Sequence, residues 1–263
     1  MNKKNVSVIC IIMLLICLCG CSCENKEKKP ELVIGCDNSR PYCYTDEDGE
    51  FVGIDVELAK EVCKKIGYTP VFKQIKWNDR DVYLENGEVD CLWSCFSMDN
   101  QEDKYAWVGP YMYSRQVVAV LNNSSISKLE NLEGKDIAVK ISSKAEKIFA
   151  EQASENIPKV RDVYCLDDLE MAVTALRSNY VEACAGNIAG LKEELELAGV
   201  SYRILEPDLS RARLGIAFAK NSDSDFLKSI ENAFVEMRGE GTTATILQKY
   251  GVETARTLIG RRR

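Results

Sequence analysis

Apolar and polar residues alternate along this chain with two periods that take turns, one near two and one near 3.6. Residues 31–36 (ELVIGC) form a short β-rich run. Residues 53–67 (GIDVELAKEVCKKIG) switch to helical spacing, with Val56, Ala59, Val62, Cys63 and Ile66 on one face. Asp55 and Glu57 lie early, Lys64 and Lys65 late, and Gly67 closes the segment, as the helix dipole favours. The pattern then predicts strands at 69–75, 89–97, 117–121, 136–141, 163–165, 181–185, 203–205 and 214–219. Between them it predicts helices at 79–86, 144–154, 166–178, 188–198, 226–239 and 244–250. Strands alternating with helices imply parallel α/β units.

The first twenty residues follow neither period. Lys3 and Lys4 precede a continuous apolar run over 6–18. That run is shorter than the ~20 residues a membrane span needs, and it fits the core of a secretory signal. It ends in Leu18-Cys19-Gly20-Cys21, which looks like a lipobox: a branched apolar residue, two small ones, then the cysteine to be acylated. Two acyl chains on Cys21 would give stable membrane anchoring. An ordinary cleaved signal is the alternative. Residues 22–30 then read as a polar tether.

At 263 residues, with 46% apolar and 29% charged positions, the chain suits one large domain or two modest ones. It has no histidine, which excludes Ser-His-Asp triads, Cys-His pairs and His-ligated zinc. A net charge of −7 argues against nucleic acid as the partner, and loss of the leader's two lysines would make it −9. Of the twelve cysteines, Cys10, Cys17 and Cys19 belong to the leader and Cys21 to the anchor. No C-x-x-C pair remains, so no metal site is expected. Cys36, Cys63, Cys91, Cys95, Cys165 and Cys184 read as small apolar core residues, with a Cys36–Cys91 or Cys36–Cys95 disulfide as the other reading. No cofactor is implied.

From residue 31 to about 251 the order of motifs resembles the bacterial extracellular solute-binding proteins of family 3. Arg40-Pro41-Tyr42 resembles the family's proline-aromatic loop, and Gly53-Ile54-Asp55-Val56-Glu57-Leu58-Ala59 its first-helix signature. Trp77 with Leu84, Gly87, Val89 and Asp90 resembles its W…L…G-x-V-D segment. Residues 107–111, 134–143 and 238–251 resemble its F-S-x-P-Y segment, its G-K-x-[VI]-x-V strand and turn, and its C-terminal helix. The fold implied is a two-lobed, type II periplasmic-binding-protein-like α/β fold. Each lobe would be a mostly parallel sheet flanked by helices, the two joined by two β crossovers. Lobe 1 would be 31–116 plus 216–263, and lobe 2 121–211, with ligand in the cleft and closure by hinge motion.

An amino-acid receptor must pair a carboxylate and an ammonium in a dry cleft, because burying either alone costs several kcal/mol. The resemblance places an arginine in a lobe 1 turn and an aspartate in lobe 2. This chain has Gln101 and Asn187 there. Both anchors are neutral amides, and the turn is about one residue short. Arg40, Lys140, Lys144 and Arg115 are cations that could restore a carboxylate site, or could be solvated surface charges. Tyr42 and Trp77 match the aromatic walls, and Ser97 matches a ligand-binding hydroxyl. Ser94 could bind through its backbone, and Asp37 could reach a ligand's polar tail. Ser142 and Ser143 open a helix, where they either face an anion or cap. Trp93 and Trp107 are assigned to structure, Trp93 on one strand face with Val89, Cys91 and Cys95.

The expected protein is a monomeric, lipid-anchored receptor that hands a small polar, amino-acid-like ligand to an ABC permease. A sensory module of the same fold is one rival. A secreted dehydratase is another, since some relatives act on cyclohexadienyl acids. A dehydratase would need a placed acid or base, and the turn offers Glu102 and Asp103, which read more simply as facing water.

Overall fold

The computed structural model describes residues 28–151 and 157–258; the leader, Cys21 and most of the tether lie outside them. The chain divides into Met1–Pro30 and Glu31–Arg263, and the fold below is that of the second unit.

β1 (Glu31–Cys36) pairs in parallel with β4 (Thr69–Gln74) and β5 (Cys91–Leu92). β7 (Asp136–Lys140) pairs in parallel with β8 (Asp162–Leu166) and β9 (Ala183–Asn187). Two antiparallel strands join these groups. β6 (Ala106–Leu121) lies between β11 (Ser210–Phe218) and β9, and β11 pairs with β5. β10 (Tyr202–Ile204) covers the far end of β6. β2 (Tyr44–Thr45) and β3 (Phe51–Val52) form a small separate hairpin.

Side chains alternate across the sheet, so neighbours enter different cores. Cys91 joins Trp93, Tyr111 and Phe234, whereas Leu92 joins Ile75, Phe96 and Tyr105. In the second group Val118 packs with Ile137 and Phe149, and Val117 with Leu176 and Cys184. The cores thus separate along the chain much as the strands do.

Helix α1 (Ile54–Ile66) has no side-chain cap. Its first free N–H groups, on Ile54 and Asp55, donate instead to the carbonyls of Pro41 and Tyr42 at 2.9 and 2.8 Å. That approach requires glycine at 53, where φ is 124° and a Cβ would lie 2.4 Å from the Tyr42 carbonyl oxygen. The remaining helices follow. α2 is Arg80–Glu85, α3 Lys144–Ala150, α4 Leu169–Arg177 and α5 Ile188–Leu197. α6 is Ser224–Glu240, α7 Thr242–Lys249 and α8 Thr254–Thr257.

Several expectations change. The strand expected at 89–97 is only Cys91–Leu92. Beyond Trp93 the chain turns, and Val89 packs with Leu92 rather than with Trp93. The crossover is a strand from Ala106, not from residue 117. Pro110 is accommodated because Gly109 takes φ 125°. Helix α4 starts at Leu169 rather than 166, because Asp168 caps it by accepting from Met171 N–H at 2.7 Å. The hairpin β2–β3 and helix α8 were not expected. The end of the helix expected at 144–154 falls partly on 152–156, outside the described residues.

Candidate functional site

The carboxyl ends of β1, β4 and β5 carry the residues expected of lobe 1. Asp37, just past β1, is tied to Ser94: its N–H donates to Ser94 Oγ at 3.2 Å, and that hydroxyl donates back to its carbonyl at 3.3 Å. Trp77 is half-buried and meets the Phe96 ring edge-on at 5.0 Å. The Ser97 hydroxyl accepts from Asp99 N–H at 3.2 Å, and Gln101 Nε2 donates to the Ser97 carbonyl at 3.3 Å. The Gln101 amide is therefore folded back on its own turn. Trp107 closes that turn by donating Nε1–H to the Gln101 carbonyl at 3.0 Å. Glu102 pairs with Arg213, which also binds Asp99 at 2.8 Å.

Beneath these loops lies Asp55, a carboxylate read from the sequence as a helix-dipole residue and part of the first-helix signature but not as part of the site. Asp55 is 1% exposed and accepts from Cys95 N–H at 2.7 Å and Tyr111 O–H at 2.9 Å. It thereby fixes Cys95 in the left-handed conformation at φ 50°. Burial pushes the Asp55 carboxyl up to about 7, against the pull of its two donors. The available signal was an acidic residue in the first turn of α1, flanked by the apolar Ile54 and Val56.

Asn187 ends β9 and caps α5. Its Oδ1 accepts from Tyr42 O–H at 3.0 Å and from Ala189 N–H at 3.0 Å. Its Nδ2 donates to Ser114 Oγ and, at 3.6 Å, to Cys95 Sγ. Every hydrogen-bonding group of this amide is engaged, and the neutral side chain fits because two of its four neighbours must receive protons. Burial drives the Tyr42 phenol well above its usual range. Ser114 and Cys95, missed in the sequence, belong to this cluster because β6 and the turn after β5 bring them together.

The four cations separate into two kinds. Arg115 is 4% exposed and is held by Asp208 at 2.8 Å, with Glu206 at 3.6 Å. Its charge is paired at the crossover. Arg40 is exposed, stacks over Tyr44 at 4.1 Å and reaches Glu193 of α5 at 3.6 Å. Lys140, at the end of β7, and Lys144, in the first turn of α3, are half-buried and form no ion pair among the described residues. Ser143 caps α3, accepting from Glu146 N–H at 3.1 Å, while Ser142 N–H donates to the Glu146 carboxylate. Both serines are thus used by the helix start itself.

A cavity of about 470 Å³ lies between α5 and the segment after α7, lined by Pro41, Arg115, Ile188, Lys192, Tyr250 and Val252. Of the residues expected to bind ligand or restore its charge, it takes only Arg115.

The thiols are free at Cys36, Cys43, Cys63, Cys91, Cys95, Cys165 and Cys184, so neither Cys36–Cys91 nor Cys36–Cys95 is bonded. Cys36 packs instead with Cys43 and Val56. Cys165 is exposed and Cys95 half-buried, contrary to the core reading, because Cys165 lies on edge strand β8. No group of His, Cys, Asp and Glu among the described residues could hold a metal ion. Among them no helix is long and apolar enough to cross a membrane.

The family model for bacterial extracellular solute-binding proteins, family 3, matches residues 32–253, and the chain belongs to that family. The L-cystine-binding protein TcyJ of Escherichia coli (strain K12) is 25% identical over 231 residues, 86% of this chain and 85% of that one. Among solved structures, an ancestral arginine-binding protein bound to glutamine has a TM-score of 0.68 at 27% identity, covering 86% of this chain and 99% of that one. The probable amino-acid ABC transporter extracellular-binding protein ytmK of Bacillus subtilis has a TM-score of 0.76 at 22% identity, covering 85% and 98%. The fold is accordingly the two-lobed, type II arrangement, with β6 and β11 as the crossovers.

Proposed function

We propose that this protein captures a small amino-acid-like ligand between its lobes and delivers it to an ABC importer, by binding and cleft closure without covalent chemistry. The observation that carries this reading is the contact of the loop after β1 with the start of α5, through Tyr42 and Asn187. That pair joins the strand ends where ligands of such folds sit. Residues 31–116 plus 216–263 would form lobe 1 and 121–211 lobe 2, acting as a monomer anchored outside the cell membrane through lipid on Cys21. Lys140 and Lys144, which form no ion pair among the described residues, are suited to a ligand carboxylate from the lobe 2 side. The carboxylates of the 97–103 turn do not suit an acid–base catalyst: Asp99 and Glu102 are paired with Arg213, and Asp103 is exposed.

Thermal-shift screening of the purified protein against amino acids, dicarboxylates and small peptides tests the proposal. A ligand at 100 times its Kd adds about 2.7 kcal/mol of stability. If no compound raises the midpoint, the receptor reading fails. Binding without uptake by cells that carry the permease would favour the sensory alternative.

A further inference from the structure

The 97–103 turn has Gln101 and no cation of its own, and Arg213 beside it is spent on Asp99 and Glu102, yet a second arginine lies over Phe96, the residue before the turn. Arg80 opens α2, three residues after Trp77. Its guanidinium lies over two rings, 5.5 Å from the Trp77 centroid and 5.3 Å from that of Phe96. Nη1 donates to the Trp77 carbonyl at 2.9 Å, while Nε is buried with no partner. No carboxylate forms an ion pair with Arg80 among the described residues. The adjacent Asp81 is bound by Lys104 and Tyr105, and only its field reaches the guanidinium.

The platform under Arg80 is continuous with the ligand turn. Phe96 directly precedes Ser97 and packs on Trp107 at 5.1 Å, and Trp107 holds Gln101. The guanidinium therefore lies over Phe96, the residue that leads into Ser97, at the carboxyl edge of β4 and β5. A planar fork laid on aromatic faces keeps its edges for in-plane acceptors, and a carboxylate is the acceptor that fills two at once. A half-buried cation with an orphaned N–H and no anion is expensive unless a ligand supplies the charge.

We propose that Arg80 receives the carboxylate of the ligand on the lobe 1 side, in place of a cation in the 97–103 turn. This rests on the receptor reading above, and it narrows the ligand to compounds with a free carboxylate. The test uses the full-length protein and a binder found by thermal shift among amino acids and dicarboxylates. Calorimetric titration then compares that acid with its neutral carboxamide on wild type and on Arg80→Gln. Wild type should prefer the acid tenfold or more, and R80Q should lose most of that preference by weakening the acid while hardly changing the amide. An unchanged acid-to-amide ratio in folded R80Q overturns the role of Arg80 and leaves the receptor reading intact. If wild type binds no compound, the receptor reading falls and the assignment with it. Should R80Q not fold, Arg80→Met keeps the aliphatic stem on the rings and carries the same comparison.

Discussion

Tyr42 donates its hydroxyl proton to Asn187 Oδ1 at 3.0 Å, joining two residues 145 positions apart. One stands in the loop after the first strand, the other at the cap of α5, and in the proposed division the bond would span the two lobes. Tyr42→Phe should cost about 1 kcal/mol, the usual net value of one hydrogen bond. Asn187→Ala, which also removes the cap on Ala189 N–H, should cost about 2 kcal/mol. A double-mutant cycle by urea unfolding should return a coupling of about 0.5–1.5 kcal/mol. Strict additivity would mean that the two side chains do not meet in solution.

Asp55 makes stability depend on pH with a definite sign. Its folded carboxyl titrates near 7 instead of 3.8, so between those values the folded state holds a proton that the unfolded state has lost. Stability from this group is complete below about pH 4 and is lost as pH rises to about 7, on the order of 4 kcal/mol at most. Burial raises Glu193 and Glu194 too, with the same sign. Despite burial, the partners of Asp81 and Asp208 hold these two carboxyls low, so their effect falls below about pH 4. Denaturant unfolding from pH 4 to 8 should show wild type weakening, and Asp55→Asn should flatten the slope. Equal slopes would remove Asp55 as its cause.

Arg115 is paired with Asp208 at the crossover, and a structural role follows from that pairing. Arg115→Met should leave Asp208 with only its longer 3.4 Å contact to Arg211 among the described residues, with a loss of about 1–3 kcal/mol. Where the variant folds, its affinity for any ligand found should match wild type. A tenfold loss of affinity at unchanged cleft chemistry would return Arg115 to the binding site.

The thiols should differ in reactivity by exposure alone. Among the described thiols Cys165 should be alkylated first, because it is exposed while Cys36, Cys43, Cys63, Cys91 and Cys184 are fully buried. Mass spectrometry of peptides after brief iodoacetamide treatment checks the order. Rapid labelling of Cys36 or Cys43 would contradict the packing around Val56.

Much of this fold was legible because its elements announce themselves locally. The helix at 54–66 has its apolar stripe, its charges in dipole order and glycine at both ends, and all of these are neighbours in sequence. The strands at 31–36 and 136–140 are short β-rich runs between turn residues. The failures came where a distant partner decides. Residues 93–97 look like strand, but Asp55 captures the Cys95 N–H and turns the chain. Residues 106–116 hold a proline and a glycine that disfavour a strand, but pairing with β11 supplies one.

The candidate site divides the same way. Sequence by itself determined the family, the order of the elements, the missing histidines and the two amides at positions 101 and 187. These are matters of residue identity and local spacing. Only tertiary structure decided which charges are free. Arg115 and Arg80 are both arginines near a turn or crossover, yet one is paired with Asp208 and the other lies on Trp77 and Phe96 with no ion pair among the described residues. Whether a charge is paired depends on residues tens of positions away reaching within a few ångströms. Linear spacing carries no record of that distance.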